Sequence, residues 1–314
     1  MNTAQQELRS QAVAENAMVY GQVHIGHGVA PCHHGEILQG IFEESNGKET
    51  LGLVTLLNST TKAKATFLPD SESDVITVEP AYKKKALSSV MLTLEELGLN
   101  KSGGRLICDS CVTEELGLGS STADVVAAAR AVCSAYQRKL SREALARIAV
   151  RAEVASDPIM FESSTVLFAQ REGHVIEELG PLLPGISLLS FTLGEPISTC
   201  DYRAPQYTWE DMQQFKPLRG LLRFALSNHD LATIARVSTH SALINQKHVP
   251  KPNFDAVLGI AEQGGALGVQ IAHSGNLVGM IFSPDDHDLL ERVSHCQGRL
   301  RDIGTHQTAF HSTF

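Results

Sequence analysis

The sequence predicts a mixed chain of strands and helices with room for two lobes. Three observations carry this. The chain has 314 residues, enough to bury a large core or a core plus a second lobe. Its opening is rich in strand patterns, and helical periodicities alternate with further strands after residue 85. Hydrophobic residues make up 43% and charged residues 19%, the profile of an ordinary folded enzyme.

Taken in order, the stretch up to about Met18 is polar and Ala/Gln-rich and reads as a short helix or a loose lead-in. From Val19 to Phe42 glycines punctuate an alternating pattern, which predicts short strands joined by tight turns. Strand patterns follow at Leu51–Leu57, Thr60–Phe67 and Asp74–Val78. Lys85–Leu97 spaces Leu87, Val90, Met91, Leu94 and Leu97 as one face of a helix, with Gly98 as its C-terminal cap. A strand over Gly104–Ser110 then leads through a glycine loop into an Ala-rich helix running to about Lys139. Ser141 caps a second helix, whose Leu145, Ile148, Ala149 and Ala152 face inward. Strands at Ser163–Phe168, His174–Leu179 and Ile186–Phe191 precede helices near Trp209–Leu226 and Leu231–Gln246, a strand around Val269 and a final helix from Asp286.

Charge and cysteine usage exclude several classes. With 26 Lys plus Arg against 35 Asp plus Glu, the formal charge of −9 argues against nucleic acid or an anionic membrane as partner. Apolar runs stop well short of the roughly 18 residues that cross a bilayer. The six cysteines read as reduced thiols, and the lone Cys108-x-x-Cys111 lacks a second ligand pair at zinc spacing. A cytoplasmic protein is the expectation.

The chemistry concentrates at Gly117-Leu118-Gly119-Ser120-Ser121-Thr122-Ala123-Asp124, a glycine turn feeding a helix start. Amides freed by glycine, together with the positive end of the helix dipole, favour phosphate, and the hydroxyls of Ser120, Ser121 and Thr122 can bond phosphate oxygens or a magnesium ion. The plain alternative is a turn with Ser120 as helix cap. The loop is neither a Walker loop nor a dinucleotide fingerprint. Glu153 sits beside the apolar stripe of the following helix, where an antiparallel pair returns it toward the loop; a solvated Glu near Arg147 or Arg151 is the alternative. Pro158 disfavours helix at Asp157, freeing that carboxylate to point into a cleft or to serve as a turn residue.

Gly117–Asp124 resembles the second motif of the GHMP kinases. Ala30-Pro31-Cys32-His33-His34-Gly35-Glu36-Ile37-Leu38-Gln39-Gly40 resembles their first motif, and Gly264–Gly275, with Gly265, Gly268, His273 and Ser274, their third. The first and third are most similar to the forms in bacterial L-threonine kinases of cobalamin synthesis and propanediol utilisation. Two departures stand out: Thr113 occupies the place of a usual proline, and His33-His34 that of a small residue and Cys.

The resemblance implies a two-lobed α+β fold, with a ribosomal S5 domain 2-like N-terminal lobe over residues 1–184 and a ferredoxin-like lobe over 185–314. It implies ATP and Mg2+ as cofactors, with Gly117, Leu118, Gly119, Ser120, Ser121 and Thr122 holding the nucleotide and Ser121 and Glu153 ligating the metal. Asp157 is implied as base or as orienter of the acceptor hydroxyl. Glu36, His33, His34, His273 and Ser274 fall on the substrate side, with His240 a weaker candidate. The implied acceptor is a hydroxylated amino acid, first L-threonine; serine, homoserine or another metabolite, a catalytically silent ATP and metabolite sensor, and a phosphorylating decarboxylase are the alternatives. A homodimer is compatible with this reading.

Overall fold

The computed structural model describes residues 24–110, 120–194, 205–273 and 276–313. Cys111, Thr113, Gly117, Leu118, Gly119, Ser274 and the opening helix expected up to Met18 lie outside the described residues.

β1 (Gly26–Glu43) and β2 (Glu49–Asp70) form a long antiparallel pair at the centre of the molecule. The several short strands expected before Phe42 are therefore one strand, broken in register at Pro31/Cys32, His33/Glu36 and Glu36/Leu38. The glycines misled because three of them mark close approaches rather than turns. A Cβ on Gly26 or Gly28 would meet the carbonyl oxygens of Ala131 or Ala127 at 2.1 and 2.0 Å, and one on Gly40 would strike the Phe215 ring. Among the described glycines of this stretch, Gly35 alone has a left-handed backbone, φ +56°, at the irregularity between His33 and Glu36. The two strands expected between Leu51 and Phe67 likewise merge into β2. Asn58 Oδ1 accepts from the backbone of Thr60 and Thr61 there, a local kink that resembles a turn in sequence.

β3 (Ile76–Glu79), α1 (Lys84–Glu96) and β4 (Gly103–Ser110) follow. Gly98, at φ +72°, ends α1 as expected, and Leu99 N–H reaches back to Leu94 O at 2.8 Å. Met91 is exposed, because the buried stripe of α1 runs through Ala86, Ser89, Val90, Thr93 and Leu94. α2 (Ser120–Ala135) is almost wholly buried, and its small side chains let it lie on β1 over Gly26 and Gly28. It stops short of Lys139, with Gln137 at φ +50°. α3 (Arg142–Glu153) begins at Ser141, whose Oγ accepts from Ala144 N–H at 3.1 Å, and ends at Val154, φ +75°.

β5 (Thr165–Ala169), β6 (His174–Gly180), β7 (Ser187–Thr192), α4 (Trp209–Ser227) and α5 (Leu231–Asn245) lie close to their expected places. A capping box of Thr208 and Asp211 opens α4. α6 (Phe254–Gln263), β9 (Leu277–Phe282) and β10 (Thr308–Ser312) were not anticipated; β8 (Gly268–Ile271) and α7 (Leu289–Asp302) lie where a strand around Val269 and a final helix were expected. The strands form one sheet in the order β10-β7-β9-β8-β1-β2-β4-β3, with β5 joining β2 to β6. One core lies between α2 and the β1–β2–β4 face; two others form under α4 with α5 and under α6 with α7. Glu36 pairs with Ile271 across β1 and β8, so the sheet itself brings the first and third motifs together. Among the described residues no helix is long and apolar enough to cross a membrane.

Candidate active site

Two neighbouring groups of polar side chains arise from this framework. The first lies at the start of α2. Ser121 donates its hydroxyl to Glu153 Oε1 at the end of α3, so the two helices bring together residues 32 apart in sequence. The Glu153 side chain is buried, with Lys85 Nζ 3.5 Å from Oε1. Arg147 and Arg151 instead pair with Glu96 and Glu95, so Glu153 is not a solvated helix residue. Its Oε2 is buried without a hydrogen-bond partner among the described residues. Burial raises the Glu153 carboxyl above its usual range, against the opposing effects of Lys85 and of hydrogen bonds from Ser121 and Thr122. A buried carboxylate oxygen with no donor, beside a serine hydroxyl, is the kind of hard-oxygen set that suits a magnesium ion. Below it, Lys83 Nζ lies 2.7 Å from Asp124 Oδ2, both buried.

The second group begins four residues on. Ser156 and Asp157 follow the left-handed Val154, which turns the chain inward, and Asp157 is 3% exposed. His33 Nε2 lies 3.0 Å from Asp157 Oδ2, and Thr55 Oγ1 donates to Oδ1 at 3.0 Å. Burial would raise this carboxyl, but the charges of His33 and His273 and the hydrogen bonds from His33 and Thr55 outweigh it and hold Asp157 well below the usual carboxylate range. Burial pulls His33 down in turn, yet Asp157 and Glu36 lift it above the ordinary imidazole value.

Glu36 and His273 form the adjoining pair. The His273 backbone N–H donates to Glu36 Oε2 at 2.6 Å and its Nδ1 to Oε1 at 2.7 Å. Burial opposes charge on His273, but Glu36 prevails and lifts it to about 9. Lys251 is buried nearby, pushed down to about 8 by burial with Glu36 opposing. His33, Glu36 and Asp157 hold ligand-type atoms within 4.8 Å of one another, but their carboxylates already receive Thr55, His33 and His273, an arrangement of hydrogen-bonded ion pairs. An apolar cavity of about 240 Å³ shares Thr55 and Pro158 with this group and extends to Phe161 and Leu182.

The expected residues therefore fall into three sets. Ser121 and Glu153 meet, and Ser120 and Thr122 flank Ser121 in the first turn of α2. His33, Glu36, Asp157 and His273 meet in the second group. His34 does not join them: successive strand residues face opposite ways, and its Nδ1 contacts Gln270 while its ring lies 5.4 Å from that of His311. Burial drives His34 well below its ordinary value, so it is neutral. His240 is an exposed residue of α5, bonded to Arg236 O. Thr55 and Lys251 escaped the sequence reading. Thr55 looked like one more residue of an alternating strand, and Lys251 lies between two prolines without a motif.

Residues 82–161 match the family model described as the GHMP kinases N terminal domain. Over this stretch the chain is similar to the N-terminal domain of the GHMP kinases. The match spans Lys83, the whole second motif, Glu153 and Asp157. Among curated proteins, the L-threonine kinase of Citrobacter freundii is 27% identical over 199 residues, which covers 59% of this chain and 64% of the relative. The L-threonine kinase of Salmonella typhimurium is 29% identical over 189 residues, covering 59% and 61%. The chain thus spans just under two thirds of the length of these curated relatives. The crystal structure of homoserine kinase from Cytophaga hutchinsonii superposes with a TM-score of 0.69 over 92% of this chain and 94% of that one at 16% identity, so the two share a fold over most of their length.

Proposed function

We propose that the protein is a phosphotransferase that moves the γ-phosphoryl group of ATP to the side-chain hydroxyl of a small amino acid, with L-threonine as first choice. The observation that carries this reading is the pairing of Ser121 with a buried Glu153 whose second oxygen has no hydrogen-bond partner among the described residues, four residues before a fully engaged Asp157. Phosphoryl transfer asks a protein chiefly for alignment and charge neutralisation. In this reading Gly117 to Thr122 hold the nucleotide phosphates, and Ser121 with Glu153 holds magnesium. When bound, that ion neutralises charge on the phosphates. Asp157, His33 and Thr55 form the acceptor side of the site, where Glu36 fixes His273. Residues 1–184 supply the nucleotide lobe and 185–314 the remainder. The likeness to the two L-threonine kinases supports the choice of acceptor.

The test is a screen of [γ-32P]ATP with magnesium against L-threonine, L-serine, L-homoserine and other metabolite alcohols. Label in O-phospho-L-threonine, with kcat/KM for threonine above that for the other alcohols, is the expected outcome. Transfer to a different alcohol corrects the substrate, and absence of transfer to any alcohol despite nucleotide binding replaces the enzyme by an ATP and metabolite sensor.

A further inference from the structure

We propose that His33 is the group that takes the proton from the acceptor hydroxyl, and that Asp157 is the residue that positions it. This deepens the kinase reading and rests on it. Asp157 Oδ1 accepts from Thr55 and Oδ2 faces His33 Nε2, so both are engaged before any acceptor arrives. A carboxylate held so firmly in its charged form is a weak proton acceptor, since a base works best when its own affinity for a proton matches the working pH. His33 has the complementary arrangement. Its Nε2 meets the carboxylate, while its Nδ1 is buried and has no hydrogen-bond partner among the described residues. A buried nitrogen left without a partner is costly, and a hydroxyl brought against it removes that cost.

The pair has the logic of a carboxylate that orients an imidazole. With Nε2–H donated to Asp157, the neutral ring is fixed in the tautomer that presents a lone pair on Nδ1. In the transfer step the acceptor O–H bond breaks and its proton passes to Nδ1. The acceptor oxygen bonds to the γ-phosphorus, the bond from that phosphorus to the bridging oxygen breaks, and ADP leaves with that oxygen; the imidazolium then returns its proton to solvent. The charged and titratable groups around His33 are known. Asp157 and Glu36 favour its proton, His273 opposes it, His34 beside it on β1 is neutral, and Lys251 acts on Glu36 and His273. The net balance lifts His33, so its basic form grows in above pH 6.5.

The test compares the wild type with His33→Ala and His33→Gln on the acceptor found by the screen. The expected result is a loss of kcat of about 10²–10⁴-fold in both variants, KM for magnesium ATP within about twofold, and recovery of at least about tenfold when imidazole is added to His33→Ala but not to His33→Gln. Wild-type kcat should rise with pH through one ionisation above 6.5, and that rise should vanish in His33→Ala. A second measurement needs no variant: the ring nitrogens of 15N-histidine-labelled wild type, observed by NMR above the titration, should show His33 protonated at Nε2. A kcat within twofold of wild type in His33→Ala, a variant that keeps the wild-type pH profile, or a neutral His33 protonated at Nδ1 overturns the proposal while leaving the kinase reading intact. A wild type that phosphorylates no alcohol defeats the kinase reading itself.

Discussion

At the start of α2, Ser121 and Glu153 meet around a carboxylate that burial disfavours and that keeps one oxygen without a partner among the described residues; at Asp157 and Glu36, an equally buried pair of carboxylates has every oxygen matched to a donor. In the proposed function the first group is organised for a ligand that is not part of the chain. The second is organised internally, by contacts that also tie β1, β2, the segment after α3 and His273 beyond β8 together. Removing charge from the first should therefore affect function more than folding, and removing charge from the second should affect both.

The sharpest way to break this contrast is Glu153→Gln. Its activity should fall by about 10²–10³-fold, while thermal unfolding without ligand should occur at the wild-type temperature or higher. The sign follows from the raised carboxyl: ionised Glu153 lowers stability as pH rises from its unfolded value through its folded one, and glutamine removes that cost. A strong destabilisation at neutral pH would erase the difference between the two groups.

Asp157→Asn comes next, because it leaves His33 buried beside a neutral partner. Denaturant unfolding at pH 7 should show a loss of about 3–5 kcal/mol. A depressed carboxyl stabilises above its unfolded value of about 3.9 and loses that contribution as pH falls toward its folded one, so the gap between variant and wild type should close below pH 4.

For His273 the sign reverses. Its raised value of about 9 stabilises fully below pH 6.5 and is lost as pH rises through 9, so wild-type stability should decline across that window by up to about 3 kcal/mol at about 1.4 kcal/mol per unit. In Glu36→Gln the decline should flatten. The smallest effect belongs to Lys85→Met. Lys85 is half exposed, its ion pair with Glu153 is long, and the loss of stability should stay within about 1 kcal/mol.

What was legible in the sequence was local. Gly98 after α1, Ser141 before α3 and the return of Glu153 toward Ser121 follow from caps and helical periodicity within one supersecondary unit. The errors came from partners far along the chain. Gly26, Gly28 and Gly40 looked like turn markers because Ala131, Ala127 and Phe215, which crowd them, lie 99 or more residues away. β10 escaped because its five residues are mostly half-buried and acquire their meaning only beside β7. In the site, His33 and Asp157 were both singled out, but their pairing across 124 residues was not. Nothing in the alternation of β2 distinguished Thr55 from its neighbours.

The most direct test of the central claim is a calorimetric titration of a non-hydrolysable ATP analogue, with and without magnesium, into the wild type and Glu153→Gln. The account predicts that magnesium strengthens binding to the wild type by at least about tenfold and has little effect on the variant. Equal magnesium dependence in both proteins would contradict it.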